Sequence, residues 1–173
     1  MLVYDIIKSY KGRLIIDADG INIISRNIDI LKESKADILL TPHPGEMSRL
    51  TGKSISDINR DRINAASSFA QLYNVCVLLK GANTVTADKN GRVFINPTGC
   101  SALSRGGSGD LLTGIAVSFA SQGLSASQAG VLGAYVHGLA GEIAEEDLTS
   151  YGACIESITR CVPKALSKII SGK

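Results

Sequence analysis

Leu14 to Ile16, Asp37 to Leu40 and Val75 to Leu79 are short runs in which apolar residues follow one another without alternation. A strand with one wet face alternates polar and apolar side chains; a strand buried on both faces does not. Stretches with helical spacing separate these runs: Leu2 to Tyr10 before the first, Ile28 to Ser34 before the second, and Glu46 to Leu50 with about Ile58 to Tyr73 before the third. Doubly buried strands alternating with helices specify an α/β fold, a mostly parallel sheet covered by helices on both faces. A change of pattern follows. Thr84 to Ala87 and Arg92 to Ile95 are β-prone and flank Asp88-Lys89-Asn90-Gly91, and Asn-Gly between such runs signals a hairpin.

The rest of the chain reads as helix. One helix opens after Gly106-Gly107-Ser108-Gly109-Asp110, carries Leu111 to Phe119 and ends near Gly123. The next, about Ser127 to Glu145, is rich in Gly and Ala, which permits close approach to its neighbours. The last spans about Ala153 to Ile170, with Pro163 expected to kink or divide it. Two prolines and a glycine in Thr41-Pro42-His43-Pro44-Gly45 predict a loop there.

The chain has 173 residues, 45% of them apolar, which suits a single domain over residues 1–173. Lys plus Arg number 18 against 16 Asp plus Glu, a net charge of +2 that argues against nucleic acid or an acidic membrane as partner. No apolar run reaches the ~20 residues of a membrane span. Asp5 and Lys8 interrupt the N-terminal pattern, so it does not read as a secretory signal. Cys76 lies in an apolar run, Cys154 and Cys161 lack CxxC spacing, and only His43 and His137 could complete a zinc site. The four cysteines, Cys100 included, therefore read as reduced thiols of a cytoplasmic protein.

Ligands of such sheets bind beyond the carboxyl ends of the strands. The unusual segments leave there: DADG, TPHPGE, KGANT, and NPTG leading into GGSGD. Glycines before a helix let an anion reach its unpaired N–H groups, so Gly106, Gly107, Ser108 and Gly109 form a candidate phosphate cradle. Asp110, in the first helical turn, could take a hydroxyl proton beside it. His43, between two prolines, could donate to a substrate oxygen, while Glu46 fits a helix start. Lys80 could meet a phosphate, with Gly81 keeping the backbone open. Asp17 or Asp19 reads as a partner for loop backbone, and His137 as a packed histidine.

Together DADGIN, LLTPHPGEMSRL, VLLKGANTVTAD and NPTGCSALSRGGSGDLLTGIAVSFASQG resemble the ADP- or ATP-dependent NAD(P)H-hydrate dehydratases of the ribokinase-like superfamily. The resemblance implies a three-layer α/β/α fold and repair of hydrated NADH or NADPH, through phosphorylation of the ring hydroxyl and loss of phosphate. It implies that His43 and Asp110 contact the hydrated dinucleotide, and that Lys80, Gly81, Ala82, Asn83, Thr84 and Gly109 contact the adenine nucleotide. Mg²⁺ would accompany the phosphates, with no ligand named by the motifs. Members of that family carry roughly a hundred more residues before this point, including the first strands and a Gly-Pro-Gly loop. The expectation is therefore of a domain incomplete at its N-terminus, with an exposed sheet edge that self-association or a partner would cover. Ser104-Arg105 departs from the small residue and Thr usual there, so Arg105 could aid or hinder phosphate binding. Two other readings share the cradle: a ribokinase-like kinase of a vitamin-precursor alcohol, and a non-catalytic nucleotide-binding subunit.

Overall fold

The computed structural model describes residues 2–172. Five strands form one sheet in the order β1-β2-β3-β4-β5: Arg13–Ile16, Asp37–Leu40, Cys76–Leu79, Val85–Ala87 and Val93–Ile95. β1, β2 and β3 run parallel, with Ile16 beside Leu40 and Leu40 beside Val77; β3-β4 and β4-β5 are antiparallel. The sheet is thus an even mixture of parallel and antiparallel pairings, because the Asn90-Gly91 hairpin adds two antiparallel ones. Gly91 supplies the positive φ of 86° that this turn needs.

The strands are apolar on both faces because each face is covered. Ile38, Leu40, Val77 and Leu79 point to one side, against α1 (Leu2–Ser9), α2 (Asp19–Ile24), α3 (Pro44–Thr51), α4 (Ile55–Arg60) and α5 (Arg62–Tyr73). Leu39, Cys76 and Leu78 point to the other, against α6 (Ser108–Ser121) and α7 (Ala126–Gly152). Burial pushes the Cys76 thiol up to about 12, so it is an inert packing group. α8 (Ile155–Ser171) packs on α6 and α7 away from the sheet. No helix among the described residues is long and apolar enough to cross a membrane. β1 is an edge strand whose Leu14 and Ile15 are half-buried.

Several expectations need correction. Asp19-Gly20 is not only a strand exit; it begins α2, whose Ile21 and Ile24 are fully buried. Residues 28–33 form a 3-10 helix rather than an α-helix. Pro44 does not forbid helix, because it is the first residue of α3, where no intrahelical donor is required. The long helix before β3 is two helices: Asp61 leaves helical φ/ψ, and its carboxylate accepts from the Asn64 N–H at 2.9 Å to start α5. Pro163 does not divide α8, which holds together through its buried face of Ile158, Cys161 and Ala165.

The small residues of α7 do bring neighbours close. A Cβ on Gly130 would lie 3.1 Å from Leu39, on Gly133 3.3 Å from the Ala116 backbone, on Gly138 2.7 Å from a Thr98 backbone atom, and on Gly141 2.8 Å from Leu103. Gly114 of α6 meets nothing within 4 Å. Gly114→Ala is therefore expected to raise unfolding free energy by about 0.5–1 kcal/mol. Gly138→Ala has the same helical gain but must displace backbone, and is expected to lose about 1–3 kcal/mol net. Urea denaturation of the two variants checks the contrast; equal effects would refute it.

Candidate active site

β1, β2 and β3 end at the same edge of the sheet, and β5, parallel in direction to β3, ends there too. Their exits meet around Lys80. Its Nζ donates to Asp17 Oδ1 at 2.8 Å and stands 3.8 Å from Glu46 Oε2. Thr113 Oγ1 of α6 donates to Asp17 Oδ2 at 2.7 Å. Asp17 thus holds a lysine side chain and a helix rather than loop backbone, contrary to expectation. Burial alone would raise the Asp17 pKa; the hydrogen bonds from Lys80 and Thr113 and the Lys80 charge outweigh it and hold the carboxyl below its usual range. The Lys80 N–H donates to the Pro42 carbonyl at 2.8 Å, which ties the second and third exits together.

His43 has two faces. Its Nδ1 accepts from the N–H groups of Gly45 at 3.0 Å and Glu46 at 3.3 Å, while its own N–H donates to Glu46 Oε2 at 2.8 Å. This is a capping box with histidine in the capping position. A nitrogen that accepts carries no proton, so the neutral ring bears its hydrogen on Nε2. The ring is half-exposed, its Nε2 standing 3.6 Å from Glu46 Oε1, and Glu46 has the helix-start role expected of it.

α6 begins at Ser108, after Gly107 in the left-handed region at φ 86°. The Ser108 N–H donates to the Arg105 carbonyl at 3.3 Å. Among the described residues no acceptor meets the N–H groups of Gly106, Gly107, Gly109 or Asp110, so the start of α6 keeps four free donors. A Cβ on Gly106 would meet nothing within 4 Å, and one on Gly109 would lie 3.4 Å from Lys80 Nζ. The exposed carboxylate of Asp110 has no hydrogen-bond or ion-pair partner among the described residues.

A cavity of about 640 Å³ occupies this edge. His43, residues 80–84, residues 96–101, Arg105, Ser108, Gly109 and His137 line it, while Gly106, Gly107 and Asp110 stand outside its wall. The structure therefore brings His43, Lys80 to Thr84, Ser108 and Gly109 into one chamber and sets Asp110 at the solvent side of the same helix start. Two features escaped the sequence. Arg62 of α5 donates to the carbonyls of Leu79, Ala82 and Asn83 and so shapes the 80–84 loop, in which Gly81 sits at φ 149°. His137 lies in the cavity wall, with Nε2 3.2 Å from Ser108 Oγ. Arg105 lines the cavity while its guanidinium donates to the Ser150 and Ala153 carbonyls at the end of α7.

The sequence profile of the NAD(P)H-hydrate dehydratases matches residues 1–164. The chain belongs to that family. It is 41% identical over 165 residues to the bifunctional NAD(P)H-hydrate repair enzyme Nnr of Thermofilum pendens, covering 95% of this chain and 32% of that one. It is 33% identical over 135 residues to the ADP-dependent (S)-NAD(P)H-hydrate dehydratase of Neisseria meningitidis, covering 77% of this chain and 46% of that one. The ADP/ATP-dependent NAD(P)H-hydrate dehydratase of Bacillus subtilis, co-crystallised with ATP/Mg²⁺, superposes with a TM-score of 0.84 at 26% identity. That match covers 95% of this chain and 57% of the other. The fold is ribokinase-like, and the chain spans less than two thirds of the length of each of these relatives.

A dehydratase of this family with a resident metal ion would need a cluster of ligands. Among the described residues no group of three His, Cys, Asp or Glu side chains could hold one. Asp17 already accepts from Lys80 and Thr113. The described residues thus offer no cage of protein ligands for a resident metal ion.

Two tests follow from this geometry. Gly106→Ala is expected to leave stability within about 0.5 kcal/mol and to weaken phosphate binding, whereas Gly107→Ala should lose about 1–2 kcal/mol from its left-handed φ. Thermal unfolding with and without phosphate distinguishes them. Asp17, with its depressed pKa, contributes stability that is present above the unfolded carboxyl value near 3.9 and lost as pH falls through the lower folded value. Asp17→Asn should therefore be less stable at neutral pH and flatten the acid limb; an unchanged limb would refute the role of Asp17.

Proposed function

We propose that this chain carries out the ADP- or ATP-dependent dehydration of hydrated NADH or NADPH. The observation that carries this reading is the start of α6, where four N–H groups lack an acceptor among the described residues, Lys80 Nζ lies beside Gly109, and Asp110 carries an unpartnered carboxylate in the first turn. Phosphoryl transfer needs little covalent help from protein; it needs positioning and donors aimed at developing negative charge. The terminal phosphoryl group lies against the amides of Gly106, Gly107 and Gly109 and against Lys80. Asp110 takes the proton of the ring hydroxyl, whose oxygen bonds the phosphorus as the nucleotide's leaving oxygen departs. Phosphate then leaves with the C–O electron pair, and a neighbouring ring carbon gives its proton to water as the double bond forms. His43 Nε2–H orients the hydrated ring, and residues 80–84 hold the nucleotide. Mg²⁺ bound to the nucleotide phosphates would neutralise charge there, as that ion commonly does.

The assay supplies hydrated NADH or NADPH with Mg²⁺ and ADP or ATP and reads the return of reduced nicotinamide absorbance. Asp110→Asn should lower turnover about 10²–10⁴-fold, the usual worth of a general base, with nucleotide affinity largely kept. Full rate in that variant overturns the role of Asp110. Phosphorylation of a vitamin-precursor alcohol without consumption of either hydrate overturns the substrate.

A further inference from the structure

His137 is the one histidine of α7 and lies between small residues that approach neighbouring elements closely, Gly133 and Ala134 before it and Gly138 and Gly141 after it. Gly138 and Gly141 let the 96–103 segment lie directly on the helix, where Thr98 Oγ1 donates to the Tyr135 carbonyl at 3.0 Å. His137, on the same helix, lines the cavity. It is only 8% exposed, and its Nε2 lies 3.2 Å from Oγ of Ser108, itself 6% exposed. Burial drives the imidazole pKa down to about 4, with the Ser108 backbone opposing this only in part. The ring is therefore neutral near pH 7, with one N–H and one bare nitrogen.

Ser108 stands inside the proposed phosphate site but gives it no amide, because its N–H is held by the Arg105 carbonyl. What it can give is its hydroxyl. A hydroxyl has a single proton, and a phosphate oxygen only accepts. That proton can go to His137 or to the anion, and the tautomer of His137 decides which.

We propose that His137 is a positioning residue of the phosphate site: protonated on Nε2, it donates to Ser108 Oγ and turns the Ser108 hydroxyl proton toward the bound phosphoryl group. The proposal rests on the nucleotide reading above. It differs from an ordinary satisfied buried histidine in one observable respect. In that case Nε2 would be bare, accepting from Ser108, and the hydroxyl would face away from the anion.

The chain has two histidines, so its side-chain ¹⁵N spectrum is simple, and His137→Gln assigns it. With ADP bound, His137 Nε2 is expected in the protonated, pyrrole-type range; a bare, pyridine-type Nε2 overturns the proposal on the unaltered protein. Ser108→Ala should weaken ADP binding roughly ten-fold, the scale of one hydrogen bond to a charged group. His137→Phe should do the same, and His137→Gln, which retains a side-chain N–H at similar reach, should stay within about three-fold. The Ser108→Ala/His137→Phe double variant should bind no more weakly than Ser108→Ala, since the two residues act as one unit. Unchanged ADP affinity in Ser108→Ala overturns the proposal. Failure of the unaltered protein to bind ADP or ATP overturns the nucleotide reading itself, a separate and recognisable result.

Discussion

Asp17 accepts hydrogen bonds from Lys80 and Thr113, residues 63 and 96 positions further along the chain. One carboxylate therefore fixes the end of β1, the exit of β3 and the first turns of α6 relative to each other. Its own desolvation opposes the charged form, and two close donors reverse that balance. The pair is an ammonium held beside the open amides of a helix start, so positive potential is concentrated where an anionic ligand would arrive. The cavity wall assembled from His43, residues 80–84, Ser108 and Gly109 depends on this anchor keeping the strand exits in register.

The second constraint is the closeness of α7. Gly130 lies against Leu39 of the sheet, Gly133 against α6, and Gly138 and Gly141 against the 96–103 segment. The Gly99 N–H donates to Glu142 at 2.7 Å and Ser101 to Glu145 at 2.8 Å, so the segment leading into the cradle is pinned along the same helix. Asp37, at the start of β2, accepts from the Ala126 N–H at 2.7 Å and caps α7 from across the fold. Arg105 ties the cradle to the carbonyls where α7 ends, near Thr149 with its unusual φ of 62°. The 99–105 segment is thereby held along the C-terminal half of one long helix, which favours a preorganised site over one formed on ligand binding.

The sequence by itself determined the sheet, the hairpin and the edge at which ligands would gather. Those signals are local: unbroken apolar runs require two covered faces, and Asn90-Gly91 can supply the backbone twist of a tight turn. It pointed to the free N–H groups at the start of α6 for the same reason, since glycines before a helix act through their own backbone. Only the tertiary structure decided what Asp17, Arg62 and His137 do. Asp19-Gly20 has the composition of a turn, yet Ile21 and Ile24 had a core to enter, and α2 formed. Pro163 has the composition of a break, yet the buried face of α8 outweighed one missing hydrogen bond. His137 looked like helix packing because its partner, Ser108, is 29 residues away. Contacts of that span are set by how helices and strands stack, and local residue pattern carries no record of which side chains will then meet.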